Sequence, residues 1–447
     1  MTRPLSLAQL FVYGLPGLAL ATLGLPLYVY LPTFYARDLL LGTARVGAIL
    51  LVARLFDVVT DPLAGYISDH WPWPDWRRRG PMLLGVPWLL LGIWMLFLPP
   101  PGVGGNWLLL GTLLAYLGWT LVSIPYAAWG AELSVDYHER SRLAASREGF
   151  QALGVLLALT LPTLAGVAEN AGASLQLLFF AVLLTLAPAV FLALHRLPEK
   201  RRLLQRPAFA AGLRLLGANR PLQLLLIAYV VNGLANGLPA TLFLLFVGER
   251  LQAPQAAGPL LILYFGTGVA ALPAWLWLSR RIGKHRAWAV SMGLATLSFV
   301  PVPWFGPEDF WFFTLTVALT GLTLGADMTL PTAMQADVVD VDTAQGGGGR
   351  AGLLFGIWGM ATKLALALAV GIAFPLLGLV GYDPTLKAQP HVALTGLGFL
   401  YAGLPVLLKL PCILIAWRFP LDAAVQAQLQ SQIHRQYYDR GGADELL

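Results

Sequence analysis

Residues 54–69 read RLFDVVTDPLAGYISD, and residues 77–81 read RRRGP. The first stretch continues an apolar run that begins near residue 40, long enough to cross a bilayer as a helix, for which about 20 residues suffice. Yet its middle holds Arg54, Asp57 and Asp61. Spacings of three and four residues put all three on one helical face. Ionised groups at that depth are costly and face a cavity or a partner. An Arg54–Asp57 ion pair accounts for one carboxylate. The second, one turn on, has to be protonated or share a bound cation, because like charges so close push one pKa up. The stretch therefore predicts a membrane span with a site for H⁺ or a cation such as Na⁺, and Thr60 lies between the two acids. Pro62 disturbs the helix one turn back, which serves either a packing kink or the release of backbone carbonyls toward a cation.

The rest of the chain agrees with a lipid surrounding. Of 447 residues 57% are apolar and 12% charged, against roughly 25% charged in a soluble domain. Together with a mean hydropathy of +0.68, this excludes a soluble globular protein. Roughly ten to fourteen spans fit the length. Cys412 is the single cysteine, so no disulfide can form within the chain. The net charge of +6 is explained by basic loops on the cytoplasmic side rather than by nucleic acid.

Apolar runs bounded by charge or Gly/Pro number twelve: about 6–34, 40–69, 80–99, 106–133, 146–170, 173–197, 219–248, 257–279, 287–305, 309–336, 351–379 and 392–417. The first, soon after Arg3, reads as a retained helix rather than a cleaved signal peptide. Alternate loops hold nearly all the Lys and Arg, which predicts that both termini are cytoplasmic, with a bacterial inner membrane as the expected location. The longest polar connection divides the chain into an N-terminal six-helix half (1–197), a cytoplasmic basic linker (198–218), a C-terminal six-helix half (219–417) and a cytoplasmic tail (418–447). Each half has a basic cluster after its second span, Arg77 to Arg79 in one and Arg280 to Arg286 in the other, an internal repeat. Two pseudo-symmetric six-helix halves are the plan of an all-α integral membrane protein of the major facilitator fold. In the tail, Leu421, Val425, Leu429 and Ile433 recur at the spacing of an interfacial helix.

Other charges follow the same logic. Lys363 sits midway along the eleventh segment and needs an anionic partner, either a carboxylate of segment two or the substrate. Asp327 reads as part of a polar packing turn, and Lys409 as a lysine that snorkels to the inner face. At the inner rim, Glu132, Asp136, Glu139, Arg140, Arg142, Arg147 and Glu148 around one loop, and Asp337, Asp340, Asp342 and Arg350 around another, are either solvated or paired across a cleft as a lock. Asp69 with Arg77, Arg78 and Arg79 is expected to act as an inner gate. Chemistry motifs are missing. Gly346 to Gly349 is followed by Arg350 and not by the Lys-Ser/Thr of a phosphate loop, and neither a paired-histidine metal motif nor a lipase-type serine motif occurs. The chain is thus expected to be no enzyme and to need no cofactor beyond its coupling cation.

With these residues in hand, the chain resembles the glycoside-pentoside-hexuronide:cation symporters of the major facilitator superfamily. The resemblance is carried by residues 54–69 with 77–81, by TLVSIPYAAWGAEL (120–133), by SREGF (146–150), by ADVVDVD (336–342) and by GIWGMATKLALALAVGIAFPLLGLVGYDP (356–384). It implies that Asp57, Thr60, Asp61 and Thr120 bind the coupling cation, Na⁺ or H⁺. It also implies that Arg147 and Lys363 line the substrate site, with Ser123 where the family's sugar carriers have an aspartate. Tyr126 and Trp358 add aromatic surface there, and Arg54, Glu132 and Arg350 join the gating group. No acid occurs in the apolar part of segment one, so the paired acidic clamp for galactoside hydroxyls is missing. The expected function is cation-coupled symport of a small organic solute such as a sugar, glycoside or uronide by a monomer in a lipid bilayer. A lysolipid symporter, a proton-coupled drug exporter and a non-transporting receptor are the alternatives.

Overall fold

The computed structural model describes residues 4–24, 26–199, 217, 219–347, 349–383, 386 and 388–439. Most of the expected basic linker, from Lys200 to Leu216, lies outside the described residues, as does Lys387. Among the described residues there are helices and turns and no strand. Lipid offers no hydrogen-bond partner, so an apolar run must satisfy its own backbone, and a helix does so locally.

Among the described residues, helical segments match each of the twelve apolar runs. They are α1 (Leu7–Thr22, prolonged by wide turns at Pro26–Tyr30 and Phe34–Asp38), α2 (Thr43–Asp69), α3 (Arg79–Phe97), α4 (Gly105–Leu133), α5 (Tyr137–Leu164) and α6 (Ala171–Arg196). Then come α7 (Arg220–Leu245), α8 (Ala257–Ile282), α9 (Lys284–Phe299), α10 (Phe310–Asp342), α11 (Ala351–Leu379) and α12, which runs as His391–Gly398, a wide turn at Phe399–Gly403, and Leu404–Trp417. A thirteenth helix, α13 (Ala423–Asp439), is the amphipathic tail. Nine of the described helices are long and apolar enough to cross a membrane on those grounds alone. The uninterrupted part of α1 is too short, α5 opens on the polar HERSRLAASRE, and α2 carries the charges of its site.

Local signals set several ends. Ser6 and Gln9 form a reciprocal capping box at the start of α1, and Asp136 accepts from the His138 and Glu139 amides at the start of α5. Proline interrupts most spans, among them Pro62 in α2, Pro125 in α4 and Pro331 in α10.

By contact the chain divides into two compact units. The first is Met1–Asn219 with Gln335–Met360 and Ala424–Leu447; the second is Arg220–Met334 with Ala361–Ala423. The first unit therefore includes the end of α10, the start of α11 and the tail helix. In it α3 packs on α4 and α1 on α5. Small residues make this possible: a Cβ on Gly118 would stand 2.2 Å from the Leu89 nitrogen, and one on Gly92 2.3 Å from that of Ala115. Its core is built on Leu20, Leu23, Tyr35, Leu89, Ile93, Trp129 and Leu186. In the second unit α7 and α9 pack on α12, around Phe246, Phe313 and Tyr401. The Phe246 and Tyr401 rings stack there with centroids 4.2 Å apart.

Candidate functional site

Within the first unit α2 and α4 bring three oxygens together. Asp57 is 3% exposed, while Asp61 and Thr120 are fully buried. The Thr120 hydroxyl lies 2.9 Å from Oδ1 of Asp61 and 3.3 Å from Oδ1 of Asp57. One hydroxyl has one proton to donate and here faces two carboxylate oxygens, so the second contact suits a bound proton or a hard cation. Arg54 approaches the other oxygen of Asp57 at 3.7 Å, with its guanidinium over the Tyr116 ring. Arg54 thus sits beside the carboxylates. Fifteen residues separate it from Asp69, about 22 Å along a helix, so it is no part of the rim cluster. Thr60 donates its hydroxyl to the Asp57 carbonyl at 3.0 Å, back along its own helix.

The first turns of α11 press on this site. A Cβ on Gly359 would stand 2.6 Å from Oδ2 of Asp61, and one on Gly356 2.5 Å from the Asp61 carbonyl oxygen. Trp358 is buried between these two glycines. Side by side, α2 and α11 approach along Gly65 and Gly352, where a Cβ on Gly65 would meet the Gly352 carbonyl oxygen at 2.1 Å.

The residues expected at the substrate site have more varied surroundings. Ser123 is half-buried on α4. Tyr126 is buried, donates its hydroxyl to the Tyr13 carbonyl and packs its ring 4.9 Å from that of Tyr13. Arg147, also buried, is paired with its neighbour Glu148, by Nε at 3.1 Å and Nη2 at 2.5 Å. That carboxylate offsets charge that the sequence alone assigns wholly to Arg147. Lys363 falls in the second unit, half-buried, next to Thr362, whose hydroxyl is 3.0 Å from that of Tyr229.

At the other end of α2 the rim residues form one buried network. Arg78 is fully buried, with Nη2 2.8 Å from both Asp69 and Glu132 and Nη1 donating to Ser68 at 2.7 Å. Arg77 reaches Glu132 at 2.6 Å. Asp69 also accepts from the amides of Gly352 and Leu353 at 2.9 and 2.8 Å, which caps the start of α11. Arg79 turns away to the Leu197 carbonyl at 2.6 Å and lies over the Trp129 ring. Glu199 accepts from the Arg78 amide at 2.5 Å and caps the start of α3. Burial holds its carboxyl above the usual glutamate value. Arg140 pairs with Asp337 at 3.2 Å and with Asp340, and Arg350 pairs with Asp342. Gln426 of α13 donates to Asp340 and to the Val135 carbonyl, both at 3.0 Å.

One cluster escapes the sequence reading. Lys409 does not snorkel: it is 6% exposed and lies with Asp327, Asn232, Asn236 and Trp288 inside the second unit. The end of α12 at Trp417 is about 12 Å away along the helix, too far for the ammonium to reach. A buried anion lies nearer. The available signal was Asn232 and Asn236, one turn apart in an otherwise apolar helix.

Comparison with known proteins bears on the family and the fold. A family model described as MFS/sugar transport protein matches residues 12–423. The chain is 23% identical to a sodium-dependent lysophosphatidylcholine symporter 1-A of Danio rerio, over 94% of this chain and 87% of that protein. It is 24% identical to a glucuronide carrier protein homolog of Escherichia coli K12, over 88% of each. The solved E. coli fucose:proton symporter shares its fold, with a TM-score of 0.65 at 14% identity, over 93% of this chain and 98% of that one. An all-helical, largely apolar set of described segments, a carboxylate pair inside one of them and a family match over residues 12–423 lead to one conclusion: the chain belongs to the MFS/sugar transport protein family.

Proposed function

We propose that this protein couples the influx of Na⁺ or H⁺ to symport of a small organic solute, with Asp57, Asp61 and Thr120 as the cation site. The observation that carries the reading is the convergence of the two carboxylates on one hydroxyl in the interior of a span. The name of one relative, a sodium-dependent lysophosphatidylcholine symporter, supports the same coupling and a lysolipid solute, while that of the other, a glucuronide carrier homolog, supports a sugar, glycoside or uronide. Ser123, Tyr126, Arg147, Trp358 and Lys363 would hold that solute. The pairing of Arg147 with Glu148 favours a neutral or singly anionic solute over a strongly acidic one. Lys363 would exchange partners in the cycle, held by a carboxylate or by the solute.

The rim network is the gate in this reading. Asp69, Arg77, Arg78 and Glu132 with the α11 start, and Arg140 with Asp337 and Asp340, hold the cytoplasmic end shut, and their separation opens it. Both termini would lie on the cytoplasmic side of a bacterial inner membrane, with residues 198–218 joining two six-helix halves. A lysolipid substrate is the second reading, favoured by Ser123 and by the absence of an acid in α1, which leave no acidic clamp for sugar hydroxyls. Counterflow in proteoliposomes decides between them. Exchange of glycosides or uronides that Na⁺ or a pH gradient drives uphill supports the first reading; exchange of lysolipids alone supports the second; no cation-dependent flux of either overturns both.

A further inference from the structure

The second unit contains a charged cluster that the cation site does not use. Nζ of Lys409 lies 2.7 Å from Oδ1 of Asn232, 2.7 Å from Oδ1 of Asn236 and 3.7 Å from Oδ2 of Asp327. The asparagines donate their Nδ2 to Asp327 at 3.1 and 2.7 Å, and Trp288 adds its indole N–H at 2.6 Å. Each asparagine therefore turns its oxygen to the cation and its N–H to the anion, an orientation fixed by both partners. Four helices, α7, α9, α10 and α12, contribute. Lys409 and Trp288 are buried, Asp327 is half-buried and Asn236 is exposed. An amide exposed at the middle of a span faces water in a cavity rather than hydrocarbon.

An ammonium group and an alkali cation ask the same of a site, oxygen dipoles and a nearby negative charge, and both are supplied here. We propose that Lys409 is a tethered counter-cation: its ammonium fills an oxygen cage of Asn232, Asn236 and Asp327 that binds a free monovalent cation once the side chain is removed. Asp327 is then neutralised by the chain itself throughout the cycle. Only the Asp57 and Asp61 pair is left to exchange its ion, a consequence that rests on the proposed symport, whereas the cage does not. The competing role, a polar clasp that only fastens the four helices, predicts lost stability without any response to ions.

The test is thermal unfolding of purified Lys409→Ala in choline, Na⁺, Li⁺, K⁺ or butylammonium salts, in the natural background and with Asp57→Asn and Asp61→Asn combined. The expected result is a lowered Tm in choline that alkali ions or butylammonium restore saturably in both backgrounds. Lys409→Ala with Asp327→Asn should lose the response, and the Asp57/Asp61 variant with Lys409 intact should show none. An equal Tm for Lys409→Ala in all salts overturns the proposal, as does a response that disappears in the Asp57/Asp61 background, which would place it in the first unit. Failure of that background variant alone to lose its Na⁺ response counts instead against the cation site in α2. If Lys409→Ala does not fold, Asn232→Asp keeps the lysine and adds a carboxylate to the cage: a new Na⁺-dependent rise in Tm is expected, and its absence overturns the cage.

Discussion

The Thr120 hydroxyl shows how little material the proposed cation site uses. One donor spans two carboxylate oxygens, so its removal costs a charge-assisted hydrogen bond, about 1.5 kcal/mol. Thr120→Ala is expected to weaken cation activation of transport roughly tenfold, and Thr120→Ser to restore it, as cation titration of uptake would show. Asn in place of Asp57 or Asp61 keeps the shape and removes the charge. Gradient-driven accumulation should then vanish while solute exchange persists, and full accumulation by both variants would exclude the pair as the coupling site. Gly359→Ala brings a methyl group within 2.6 Å of Asp61 Oδ2, so it should reduce cation affinity without touching a charge.

Two helix starts depend on carboxylates from far along the chain. Asp69 caps α11, and losing the cap costs about 1 kcal/mol, with more from the buried Arg78 that also leans on it. Asp69→Ala should therefore loosen the start of α11 and shift the protein toward a form open at that end. Cysteines engineered near Gly352 should label faster, and unchanged labelling would argue that Asp69 is not part of the gate. Glu199 caps α3 from the start of the linker, with its pKa raised chiefly by desolvation. The folded chain binds that proton more tightly than the unfolded one. Its contribution to stability is thus full below the ordinary glutamate pKa and fades as pH rises through the shifted value. Glu199→Gln should flatten this part of the thermal stability profile, as unfolding followed across pH would show.

Across the molecule, Arg140 ties α5 to the end of α10 and, through Asp340 and Gln426, to the tail helix. A buried arginine removed from two carboxylates leaves them uncompensated, at about 3 kcal/mol or more. Arg140→Ala should favour the form in which these segments are apart, raising labelling at this rim and slowing net uptake. Restoration by neutralising Asp337 and Asp340 together would show that charge pairing, and not loss of fold, is the cause.

The number and order of the spans are written in local composition, because an apolar run in lipid has no alternative to a helix and needs no distant residue to form one. The one-faced Arg54, Asp57 and Asp61 were legible for the same reason, since helical spacing alone sets which side chains share a face. What those side chains touch is not local. That Thr120 rather than Thr60 bridges the acids, that Asp69 caps a helix almost three hundred positions later, and that Lys409 is buried in an amide cage all depend on which helices lie side by side. Charge pairing energies depend on distance and burial, and both are set by helix packing. The sequence thus determined the membrane fold and the helical face that carries the paired acids, while only the tertiary structure decided the partners of the charges buried between helices.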